Sequence, residues 1–145
     1  MSAAVERADF TGRYWINPLH AFFLAGCVPL FLGALLSDIA YARTYQIQWN
    51  NFASWLLAGA LVVAGLALLC AVIDLVRLQY RSGQRAVYTV LLAATWLVGF
   101  IDALTHAKDA WASMPTALVL SVIVVVLAAA ASWLGFGGLR AGGDR

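Results

Sequence analysis

Four apolar runs divide this chain, roughly Leu19–Ala42, Phe52–Val76, Ala86–Thr105 and Pro115–Leu134. Each is close to the ~20 residues that carry a helix across a hydrocarbon core ~30 Å thick. None alternates apolar with polar residues as a barrel strand does. Backbone groups in lipid must be paired within the membrane, and a lone segment pairs them only as a helix. The runs therefore predict an all-α, polytopic membrane protein with a four-transmembrane-helix bundle. At 145 residues, 63% of them hydrophobic and 11% charged, the chain reads as one membrane domain with short tails. A small soluble fold leaves much of its surface in water and could not hide so many apolar side chains.

The punctuation agrees. Asn17-Pro18 reads as N-cap and first residue of a helix, Met114-Pro115 puts Pro at the start of the fourth run, and Pro29 is expected to kink the first. The connections Arg43–Asn51, Arg77–Arg85 and His106–Met114 are too short for a soluble domain. The first run is too long for a signal-peptide core, although Ala40-Tyr41-Ala42 resembles a cleavage site.

Four crossings put both termini and the Arg77–Arg85 connection on one side. That side carries Arg7, Arg13, Arg77, Arg81, Arg85, Arg140 and Arg145, the other only Arg43 and Lys108. The positive-inside rule then places both termini in the cytoplasm of a bacterial inner membrane. The arginines are dispersed and the net charge is only +2, which gives no reason to expect nucleic acid. Tyr14, Trp15, Tyr80 and Tyr88 mark one interface, and Tyr41, Tyr45, Trp49, Trp55 and Trp111 the other.

Small residues suggest how the helices meet. The second run carries Ala60, Ala64, Ala67 and Ala71 on one face, and the first carries Gly26, Pro29, Gly33 and Ser37. Such stripes let backbones approach closely. The expected use is packing of the first helix on the second, with a homodimer seam as the alternative.

Polar residues are scarce enough to stand out. In Phe100–Trp111, FIDALTHAKDAW, Asp102, His106 and Asp109 stand at i, i+4 and i+7. On a third helix continuing to about residue 110 they share a face, which Asp38, near the end of the first helix, can join. Three readings stay open: a wetted helix end, a docking surface including Trp111, or a metal or proton site. His20 opens the first helix and is the candidate haem ligand, but it lies at the opposite membrane face from His106, so the two cannot clasp one haem. Asp74 is expected to pair with Arg77 at i+3. Cys27 and Cys70 lack any C-x-x-C or C-x-x-C-H spacing and read as small hydrophobes. No catalytic motif is visible, which points away from an enzyme.

Residues NPLH, VPLFLGALLSDIAY, the Asp74-Leu75 ending of the second run and WLGFGGL resemble a bacterial family of small four-helix membrane proteins catalogued as domain of unknown function 2231. The resemblance spans about Asn17–Leu139. It implies the fold and the membrane location and supplies no activity. Many members carry a further His near the start of the third helix, where this chain has Tyr88, so a paired-His haem site is not implied. The expected role is a non-catalytic membrane subunit or anchor for a periplasmic, redox-type partner on the Asp102–Trp111 face, with no cofactor. The alternative is a b-type cytochrome with haem b near His20; a small proton or ion conductor is a third class.

Overall fold

The computed structural model describes residues 17–77 and 83–141, without the side chains of Trp111 and of residues 138–141. The interfacial Tyr14, Trp15 and Tyr80 and the topology-marking Arg7, Arg13, Arg81 and Arg145 lie outside the described residues, as does the side chain of Arg140. Four long helices, α1 (Pro18–Thr44), α2 (Ile47–Arg77), α3 (Gly83–His106) and α5 (Thr116–Ala141), are joined by short connections. A one-turn helix, α4 (Ala110–Ser113), interrupts the last connection. All four long helices are long and apolar enough to cross a membrane. The helices extend past the apolar runs by up to seven residues; the longest, α2, has 31 residues spanning about 46 Å at 1.5 Å each, more than a ~30 Å hydrocarbon core.

The boundaries follow local chemistry. Asn17 Oδ1 accepts from the Leu19 N–H at 3.1 Å, capping α1 with Pro18 in its first turn. Pro29 sits exposed on α1, and the helix runs through it without interruption. Tyr45 ends α1 in the left-handed region (φ 54°), its N–H donating to the Tyr41 carbonyl. The third helix stops at His106, short of the expected residue 110. Its end tightens to an i−3 bond, Lys108 N–H to Thr105 O, and the chain then turns into α4.

Around the bundle, α1 packs between α2 and α5, and α3 between the same two, so α1 and α3 face each other across the centre. The surface is apolar, with Phe22, Trp55, Val76, Val90 and Trp133 largely exposed, whereas the centre is filled by small residues. Ala60, Ala64, Ala67 and Ala71 are all buried, as the stripe on α2 predicted. Their role differs in detail. The glycines of α1 receive the branched side chains of α2, Gly26 facing Val63 and Gly33 facing Leu56, while Ala60 and Ala64 join the core of Cys27, Phe31, Leu57 and Val124, and Ala67 and Ala71 that of Leu24, Tyr88 and Leu92.

Two further glycines permit close approach. Gly65 leaves room for Trp96, whose indole N–H donates to the Leu61 carbonyl at 3.1 Å and ties α3 to α2. Gly99 lies under the Phe31 ring, where a Cβ would meet ring carbons at 3.0 and 3.1 Å and Leu61 at 3.4 Å. Burial recurs at an offset of 68 residues. His20, Leu24, Cys27, Phe31, Ala34, Ser37 and Asp38 are buried on α1, and Tyr88, Leu92, Thr95, Gly99, Asp102, Thr105 and His106 on α3. α1 and α3 thus present equivalent faces to the centre.

Gly99→Leu is expected to lower stability in detergent by about 1–3 kcal/mol, the usual cost of overpacking a filled core. Gly59, whose Cβ would enter open space, is the control: Gly59→Leu is expected to be neutral or slightly stabilising, since Gly disfavours a helix interior. Thermal unfolding of both variants at matched detergent concentration checks the pair.

Candidate functional site

Lipid forces polar side chains inward, and the bundle gathers them at its two ends. At the α3 C-terminus, Asp38 and Asp102 are fully buried and His106 nearly so, at 4% exposure. Asp102 and His106 come together because i and i+4 share a helix face. Asp38 reaches them from α1 across the core, and Ser121 from the second turn of α5. His106 Nε2 lies 2.8 Å from Asp38 Oδ1. On its other side Nδ1 donates to the Asp102 carbonyl oxygen at 3.0 Å and lies 3.2 Å from Asp102 Oδ1. Ser121 Oγ lies 2.5 Å from Asp38 Oδ2 and 2.9 Å from Asp102 Oδ2. The four side chains close a ring drawn from three helices.

Three of the five residues expected at this end are thus brought together, and they are not wetting a helix end. Asp109 is not among them. Because α3 stops at His106, Asp109 falls at the N-cap position of α4 and is exposed, as is Lys108. Trp111 lies in α4, its side chain outside the described residues. Ring burial also removes Asp38, Asp102 and His106 from any surface that a partner could touch directly. Ser121 was missed by the sequence reading, although one hydroxyl inside LVLSVIVVV was a signal. Among the described residues the buried Ser37, Thr89, Thr95 and Thr105 hydroxyls donate to the carbonyl four residues back. Ser121 instead serves the two carboxylates.

At the opposite end, His20 is buried and its Nε2 lies 2.8 Å from the Tyr88 hydroxyl. Its Nδ1 has no hydrogen bond and lies 3.6 Å from Asp74 Oδ2. Asp74 therefore pairs with His20 and not with Arg77, because position 74 faces α1 at this depth. His20, Asp74, Arg85, Tyr88 and Thr89 line a cleft of about 260 Å³ including its mouth. The Nε2 that would ligate iron is engaged by the Tyr88 hydroxyl. Among the described residues no group of three or more His, Cys, Asp or Glu side chains is placed to hold a metal ion. Cys27 is buried, its thiol lying 3.4 Å from the Phe23 carbonyl, and Cys70 is half-buried; both are free.

Among the described residues, packed side chains lie between the two ends. His20 and Asp38 are 18 residues apart, five turns, and so project in the same direction about 27 Å apart along α1. The seam between them is packed by Leu24, Phe31, Ala34 and Leu92.

Asp38→Ala is expected to destabilise the protein by about 3–5 kcal/mol, since it strands His106 and Ser121 in a buried site. Asp109→Ala is expected to change stability by less than about 0.5 kcal/mol, as for an exposed residue without partners to lose. Denaturant titration of the detergent-solubilised variants, followed by helical circular dichroism, separates the two.

Comparison with known proteins agrees with this architecture. No curated protein and no solved structure matches the chain. A family model, described as a predicted membrane protein (DUF2231), matches residues 16–137. That span takes in all four long helices and both polar ends, and the chain belongs to the domain of unknown function 2231 family of membrane proteins.

Proposed function

We propose that this protein is a non-catalytic membrane subunit that anchors a partner at the bacterial inner membrane, with both termini cytoplasmic and the α3–α5 connection facing the periplasm. One observation carries the reading. The ring of Asp38, Asp102, His106 and Ser121 ties α1, α3 and α5 together at the end where that connection leaves the bundle. A platform so fixed presents its connection in one geometry. The exposed Lys108 and Asp109 then offer a charge of each sign to a partner. The imbalance of Arg and Lys between the two sides supports the orientation.

The packed seam argues against a proton or ion conductor, which needs a wet path along its polar groups. The Tyr88 hydroxyl on His20 Nε2 ranks the cytochrome alternative below the anchor. Partner recruitment rests on the connection alone, since the ring itself is buried.

Photo-crosslinking amino acids at positions 108, 109 and 112 are expected to capture one protein in intact membranes. The same probe at the lipid-facing position 62 is expected to capture none. Recovery of lipid adducts alone from all four positions overturns the anchor reading. Reporter fusions at both termini that are active only in the periplasm overturn the orientation.

A further inference from the structure

The anchor reading uses the ring as a clamp and leaves its protons uncounted. Each contact in the ring needs one hydrogen, and the donors can be enumerated. The Asp102 carbonyl only accepts, so His106 Nδ1 carries a hydrogen. The Asp38–His106 contact at 2.8 Å needs one more, held on Nε2 or on Asp38. Either way that pair is neutral. The serine is the crux. Its oxygen lies within hydrogen-bond distance of both carboxyl groups, and its single hydrogen serves only one of them. The other contact brings two oxygens together, and it is attractive only if the second carboxyl group donates.

An independent observation identifies which one. Asp102 Oδ1 is buried and makes no hydrogen bond, because its nearest donor, His106 Nδ1 at 3.2 Å, gives its hydrogen to the Asp102 carbonyl, whereas both oxygens of Asp38 are engaged. An ionised oxygen left bare in a protein interior is costly; the carbonyl oxygen of a neutral acid is far less so. The 2.5 Å contact from Ser121 to Asp38 has the length of a hydroxyl donating to a carboxylate.

We propose that the ring is a proton-binding site: it holds one carboxylic proton on Asp102, donated to Ser121, beyond the proton shared by His106 and Asp38. With Asp102 neutral and the Asp38–His106 pair balanced, the ring has no net charge. Among the described residues no Lys or Arg pairs with either carboxyl group, so with both carboxyls ionised and His106 doubly protonated one negative charge stays unbalanced. The site also moves its proton without moving side chains. With the shared proton on His106 Nε2 and Asp38 ionised, the Asp102 Oδ2–H bond breaks as Ser121 Oγ takes that proton, and the Ser121 O–H bond breaks as its own hydrogen passes to Asp38 Oδ2. Asp102 is left ionised and Asp38 neutral, Ser121 is restored, and the total charge is unchanged. The ligand is the proton, and the site lies at the end closed by α4, where the buried Ser113 meets Asn50.

The test is infrared spectroscopy of the full-length protein in detergent or nanodiscs, reading the C=O stretch of a protonated carboxyl group. Labelling aspartate with ¹³C at the side-chain carboxyl separates this band from lipid esters. The wild type is expected to show a label-shifted band at neutral pH. Asn at either ring position supplies the missing donor from its amide, so Asp38→Asn and Asp102→Asn are each expected to remain folded and to lose the band. Asp74→Asn is expected to keep it. No label-shifted band in the wild type overturns the proposal without any variant being needed. A band that survives in both folded ring variants places the proton elsewhere and also overturns it.

Discussion

Lipid gives helices no hydrophobic reason to associate, because an apolar side chain is as well solvated by acyl chains as by another helix. Association has to come from close packing and from polar contacts that have no better partner. Both are visible here. Large apolar side chains such as Trp55 and Trp133 face outward, Ala residues of α1, α2 and α5 pack with Leu24, Leu57 and Leu92 in the centre, and Phe31 fills the space over Gly99. Hydrogen bonds link the diagonal pair α1 and α3 near its two ends, through His20–Tyr88 and Asp38–His106.

Those ends differ in their access to water. The carboxyl groups of the Asp38–Asp102 ring are completely enclosed, while Asp74 keeps about 37% of its side chain exposed beside His20. A charged group near water can stay ionised at little cost, whereas an enclosed one has to be neutralised by its neighbours or by a proton. The same residue types therefore do different work at the two faces: one end can exchange freely with solvent, and the other is a closed account of donors and acceptors.

Much of this was legible in the chain. The four spans, the Asn17 cap, the buried Ala stripe and the Asp102–His106 face follow from periodicities of one helix at a time. Asp38 could be matched to them by depth. What escaped depends on relations between helices or on where a helix stops. No Gly or Pro lies between Gly99 and Pro115, so nothing in the sequence marked the end of α3 at His106, and Asp109 was carried onto a face it does not share. Asp74 had an Arg at i+3 in its own helix, and a local pair outcompeted a contact with α1 that sequence spacing cannot reveal. Ser121 carries no periodic signal, since a single hydroxyl fits a spanning helix by bonding its own backbone.

The repeated offset of 68 residues has a consequence for how such a chain can vary. The two polar ends are phased by five whole turns on both α1 and α3, so the helices behave as a pair of matched rulers. One residue inserted between His20 and Asp38 would turn one end by about 100° relative to the other and leave one of the two marks without its counterpart. Side chains along the seam can change singly, within the limits of packing. Its length can change only by whole turns, and only if the opposite ruler is cut to the same measure.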